Sequence, residues 1–112
     1  TARFVEACTA EPLDRATYAR LVGANMLCPA HVRRALFDAT VDFRPVYAAL
    51  SRPGLVIHGT GDTVVSPATG EAAAQLMKQG RYLPYEGVGH APFLEVPDRF
   101  AADLAAFVTD GR

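Results

Sequence analysis

The sequence predicts an α/β fold: two parallel strands with flanking helices in the second half of the chain, preceded by a helical first half. Three observations carry this. "GLVIHG" (Gly54 to Gly59) is short, rich in branched side chains and apolar on both faces, which is the pattern of a strand buried on both sides in a parallel sheet. "SPATGEAAAQLMKQG" follows it, and its Ala, Leu and Met content favours a helix. "VPDRFAADLAAFVTDG" then sets Phe100, Leu104, Ala105, Phe107 and Val108 along one helical face. With "RYLPYEG" between the two helices, the order is strand, helix, strand, helix, the succession that builds a parallel sheet.

From the N-terminus, Glu11 to Leu27 has Leu13, Tyr18, Leu21, Val22 and Met26 near the helical period. Pro12 suits a helix start and Asp14 a cap or first-turn acid, and Pro29 closes the segment. "PAHVRRALFDAT" predicts a short helix with Val32, Leu36 and Phe37 on one side. "DFRPVYAALSRP" has Val46, Tyr47 and Leu50 as its apolar positions and is stopped by Pro53 and Gly54. After the first strand, Ser66 is expected as a helix cap, Ser51 as a turn residue, and Gly80 as the C-terminal stop of the helix. In the second strand Pro84 argues for an edge or a bulge, because it has no N–H to give to a ladder. Pro97 and Asp98 mark the start of the last helix and Gly111 its end. There is no internal repeat and no low-complexity tract.

With 112 residues, half of them hydrophobic and 21% charged, the chain fits one ordinary globular domain. Its net charge of -1 and lack of a basic stripe interleaved with aromatics point away from nucleic acid. No apolar run approaches the roughly 20 residues that span a bilayer, and the first ten residues do not have the form of a signal peptide. No membrane association and a cytoplasmic location are therefore expected. Cys8 and Cys28 have no metal-type spacing and read as two small, buried or half-buried thiols. The chain opens on Thr1 rather than Met, so a segment upstream is expected.

Two short loops carry the chemistry. Asp62 follows "GLVIHG" by one turn, and His90 follows "RYLPYEG" by one turn. In a parallel sheet both fall at the carboxyl edge of the strands, where α/β folds collect functional groups. An acid and an imidazole meeting there suit a hydrolase. The carboxylate accepts from one ring nitrogen and fixes the tautomer, and the other nitrogen serves as a general base. Taken singly, Asp62 is a turn aspartate and His90 a solvated loop histidine; their linkage across a helix and a strand favours the catalytic reading. His58 is expected as a packed, hydrogen-bonded structural histidine, His31 as a surface residue, and Glu95 in a dipole or capping role. A metal site from His58, Asp62 and His90 has no close spacing such as H-x-x-x-H behind it. No metal or organic cofactor is implied.

"RPGLVIHGTGDTVVSP" followed by "YEGVGHAPFLEVPDRFAADLAAFV" resembles the C-terminal end of an α/β-hydrolase. The matching pieces are His58-Gly59, Asp62, Val65 and Pro67, then Gly89-His90-Ala91-Pro92 with Glu95-Val96-Pro97. The resemblance implies the last two parallel strands of the sheet with their helices in residues 42–112, and the end of a helical cap in residues 1–41. It also implies that Asp62 and His90 are the acid and base of a Ser–His–Asp triad. Esterases, non-haem chloroperoxidase-like perhydrolases and methyl-ester carboxylesterases are the nearest kinds. The family's G-x-S-x-G elbow has no counterpart here, since the two serines stand in "ALSRPG" and "VVSPAT"; the family's N-terminal His-Gly oxyanion motif is also absent.

The expected function is that of a C-terminal segment whose parent enzyme hydrolyses a small-molecule ester or similar acyl substrate, with the isolated chain inactive. The alternative is a non-catalytic module that binds a partner, pairs with a separate N-terminal chain, or self-associates through the bare edge of its apolar strand. A monomer-or-oligomer measurement separates the two.

Overall fold

A computed structural model describes residues 1–110. The elements in order are α1 (Ala2–Ala7), α2 (Arg15–Met26), α3 (Ala30–Asp38), α4 (Arg44–Ala49), β1 (Gly54–Gly59), α5 (Pro67–Leu76), β2 (Gly80–Tyr85), α6 (Pro92–Glu95) and α7 (Pro97–Asp110). Strands β1 and β2 pair in parallel, from Gly54 opposite Gly80 to Gly59 opposite Tyr85. Helix α5 makes the crossover and packs against both strands, while α4 packs on α5 and α6 reaches β1. A parallel pair needs such a crossover because a tight turn cannot reverse the chain twice.

Several helix boundaries differ from those expected. Helix α2 begins at Arg15 rather than at Pro12, because Asp14 is the N-cap: its carboxylate accepts from the N–H groups of Ala16 and Thr17. Helix α5 ends at Leu76 with Met77 already extended. Gly80 is therefore not its stop but the first residue of β2. Glycine is needed there because a Cβ would run into the carbonyl of Ala74. Ser66 occupies the N-cap position of α5, though its side chain makes no capping hydrogen bond. Pro84 lies opposite His58 in the two-stranded ladder. Helices α1 and α6 were not signalled by the sequence, both being too short to display a period. The expected stop at Gly111 lies outside the described residues.

The core sits around the strand ends. Val5, Ala74, Tyr85, Val88 and Ala91 are its buried apolar residues. Tyr85, the last residue of β2, is fully buried. Its hydroxyl donates to Asp103 of α7 at 2.5 Å, and the Arg99 guanidinium lies 3.8 Å from its ring centroid. This joins α7 to the end of β2. By contrast α2, α3 and α4 bury no residue, and Leu27 and Phe37 are each 83% exposed. The face predicted for α7 is only half covered: Phe100 and Phe107 are half-buried while Leu104 and Val108 are exposed.

Candidate active site

The site is built where β1 and β2 end side by side. Beyond Gly59 the chain turns through Asp62, and beyond Tyr85 it turns through His90. Backbone bonds stitch the two turns together: the Thr60 N–H donates to the Tyr85 carbonyl at 2.9 Å and the Gly61 N–H to the Val88 carbonyl at 2.9 Å. The Thr60 hydroxyl adds two more links, accepting from the Gly87 N–H at 2.9 Å and donating to Glu86 at 3.2 Å. Two glycines make this approach possible. At Gly59 a Cβ would overlap the carbonyls of Val88 and Gly89, and Gly87 takes a left-handed φ of 71°.

Asp62 is buried, its side chain 2% exposed. Its Oδ1 accepts from the N–H groups of Val64 at 2.8 Å and Val65 at 2.9 Å. Its Oδ2 lies 2.9 Å from His90 Nδ1. The same Oδ2 lies 2.9 Å from His58 Nε2. Burial pushes the Asp62 carboxyl upward, but the N–H of Val65, the His90 ring and the N–H of Val64 outweigh it, and the net direction is down. An ionised Asp62 accepting from Nδ1 leaves His90 Nε2 with its lone pair free, in a ring that is one-third exposed. The arrangement is that of an oriented base. It opens on a hollow of about 190 Å³ lined by Ile57, Gly59, Val65 and Pro92 as well as the two residues themselves.

The remaining predicted residues fall as follows. His58 is packed and hydrogen-bonded, as expected, its Nε2 lying 3.1 Å from the Val65 carbonyl. It is not, however, apart from the acid, because β1 ends by turning this ring onto the Asp62 carboxylate. His31 is exposed near the start of α3. Glu95 does not cap a helix. Its Oε1 accepts from the Gly89 N–H at 2.8 Å and its Oε2 from the Ala10 N–H at 2.8 Å. It thereby fixes the backbone just before His90 and ties it to the segment after α1. That segment lies over the site: the Thr63 hydroxyl donates to the Ala7 carbonyl at 3.4 Å. The Cys8 thiol is pushed up by burial and by the Asp62 charge, which keeps it protonated. Both cysteines are free. Among the described residues no group of three or more His, Cys, Asp or Glu side chains is placed to hold a metal ion. No helix among them is long and apolar enough to cross a membrane.

Sequence reasoning missed two parts of this site. One is the tie from Glu95 to Gly89, whose only trace is an acid six residues beyond the glycine. The other is the contact of His58 with Asp62, whose trace is the i, i+4 spacing across the end of β1.

No protein-family model matches the chain. Over 84 residues it is 40% identical to the pimeloyl-[acyl-carrier protein] methyl ester esterase of Stenotrophomonas maltophilia (strain R551-3), covering 70% of this chain and 32% of that protein. Against the enzyme of the same name from Xanthomonas campestris pv. campestris (strain B100) it is 42% identical over 67 residues, 60% of this chain and 26% of that one. Among solved structures, an esterase from Rhodococcus sp. ECU1013 superposes with a TM-score of 0.90 at 29% identity, over 99% of this chain and 41% of that one. An esterase from Exiguobacterium antarcticum superposes with a TM-score of 0.85 over 96% of this chain and 41% of that one; at 20% identity it bears on the fold alone. The fold is that of the C-terminal part of an α/β-hydrolase. Within that class the chain is similar to esterases, and it spans about a third of the length of the curated relatives it matches.

Proposed function

We propose that the chain carries the acid, Asp62, and the base, His90, of a Ser–His–Asp triad, in an enzyme that hydrolyses carboxylic esters. The observation that supports this most is the 2.9 Å contact of His90 Nδ1 with Asp62 Oδ2 at the carboxyl ends of two parallel strands. In this reading residues 1–41 are the end of a helical cap and residues 42–112 the end of the hydrolase core, in a cytoplasmic protein. The chain's two serines, Ser51 and Ser66, lie outside any G-x-S-x-G elbow, so the nucleophile comes from residues beyond these 112. His90 Nε2 takes the proton of that serine as it attacks the ester carbonyl, and gives it to the departing alcohol. It then activates water to cleave the acyl-enzyme. Asp62 stays ionised and stabilises the imidazolium in each step. Methyl esters of acyl chains are the substrate class that the names of the relatives suggest.

The test is aryl-ester and methyl-ester hydrolysis by the longer protein that supplies the serine, beside its His90→Ala variant and beside the 112-residue chain alone. The longer protein turns over, His90→Ala loses about 10³-fold or more in kcat, and the short chain shows no turnover above buffer. Ester hydrolysis by the short chain, or an unimpaired His90→Ala enzyme, sinks the proposal. A longer protein that is inactive while the short chain pairs tightly with it favours a binding module instead.

A further inference from the structure

We infer that His58 is a positioning residue of the acid–base pair: its Nε2–H donates to the Val65 carbonyl and closes the turn that holds Asp62, whose Oδ2 lies against the same ring nitrogen. This rests on the reading of Asp62 and His90 as the acid and base. The geometry fixes the His58 tautomer. Its Nε2 faces two acceptors, Asp62 Oδ2 at 2.9 Å and the Val65 carbonyl at 3.1 Å. A ring nitrogen between two acceptors carries the proton, which leaves Nδ1 bare. Val65 is then held from both sides, its N–H donating to Asp62 Oδ1 and its carbonyl accepting from His58. The ring is only 11% exposed. Space for it is made by Gly70 of α5, where a Cβ would overlap Nδ1.

The consequence is the bearing of one oxygen. With its carbonyl held by His58 and its N–H held by Asp62 Oδ1, Val65 locks the turn that sets Asp62 Oδ2 2.9 Å from His90 Nδ1. Removing the His58 donor frees the Val65 carbonyl, and the turn no longer holds Oδ2 on His90 Nδ1. A histidine that merely filled the end of β1 would leave that contact in place when replaced.

The experiment is nitrogen-15 NMR on the full chain, with long-range ring correlations that read the tautomers of His58 and His90. The His58 ring is expected as the Nε2–H tautomer and the His90 ring as the Nδ1–H tautomer. In His58→Leu the His90 ring loses its single Nδ1–H form and shows both tautomers, and His58→Gln, whose amide N–H stands near the position of Nε2–H, restores it. Gly70→Ala displaces the ring without altering it and has the same effect on His90, which covers the case of a His58→Leu chain that does not fold. An Nδ1–H tautomer at His58, or a His90 ring that keeps the Nδ1–H form alone in folded His58→Leu, would overturn the inference. Absence of ester turnover in the longer protein leaves these spectra unaffected, so the two proposals fail separately.

Discussion

Replacing Tyr85 by Phe removes one hydroxyl from the end of β2 and nothing else. That hydroxyl donates to the Asp103 carboxylate at 2.5 Å. A hydrogen bond to a charged partner contributes about 1.5 to 3 kcal/mol. Asp103 is 35% exposed and keeps Arg99 at 3.7 Å, so water reaches it and the low end applies, about 1.5 kcal/mol. Burial, and then the Asp103 carboxylate, push the Tyr85 hydroxyl from its ordinary value up to about 12. A raised value for a group that is neutral when protonated means that its stabilisation is complete below about pH 10, where the unfolded tyrosine ionises. It is lost as pH rises through the folded value of about 12. At pH 11 the loss in the wild-type chain is about 1.4 kcal/mol. The Phe variant has no such loss. Urea unfolding at pH 8 and pH 11 reads both quantities. The Phe chain should be about 1.5 kcal/mol weaker at pH 8 and nearly equal to the wild type at pH 11. Tyr18 and Tyr82, whose hydroxyls burial also raises, titrate in both proteins and cancel. A gap of the same size at the two pH values refutes the reasoning.

Asp62→Asn leaves an amide facing ring N–H donors. It should cost about 2 kcal/mol at pH 7 in chemical denaturation. Because the Asp62 carboxyl is held low, its contribution is present above about pH 4 and disappears as pH falls below it, so the gap should narrow at pH 3. Gly70→Ala should gain about 1 kcal/mol by helix propensity alone, but the overlap with His58 outweighs that. The expected result is a net loss of about 1 to 2 kcal/mol; a raised Tm contradicts the close packing described. Glu95→Ala orphans the buried Gly89 N–H. Hydrogen exchange at Gly89 should accelerate by about tenfold or more, with about 1 to 2 kcal/mol lost overall; an unchanged Gly89 rate shows that the carboxylate is not its partner.

What the sequence disclosed depended on how local the cause was. "GLVIHG" and the Ala-rich stretch after it specify β1 and α5 from their own composition. Asp62 and His90 could be placed together because two strands of equal length in a parallel pair bring the turns beyond them to one edge. "ARFVEA" has too few residues to show a period, so α1 went unseen. The side of β1 to which His58 turns depends on the conformation of residues 62–65, which pattern alone does not fix. Glu95 was assigned to a helix end because its partners are not its neighbours: one lies 6 residues away and the other 85. The apolar periodicity of the first half was real, yet α2, α3 and α4 bury none of it, since periodicity reports which face wants cover and not whether cover is present.

The two bonds of Glu95 also set an order of assembly. The unit β1–α5–β2 closes over short stretches of chain, its strands pairing with each other and its helix packing on both. The carboxylate of Glu95, in contrast, is completed only when the amide of Ala10 arrives from 85 residues away, a closure whose entropic cost is met late in folding. Until then Glu95, which holds the Gly89 amide and with it the backbone that aims His90, has one partner fewer. Loop-closure entropy thus favours framing the strands first and bringing the base to its final bearing last. Tension on the segment after α1 is thereafter transmitted through a single side chain to the residue beside the base.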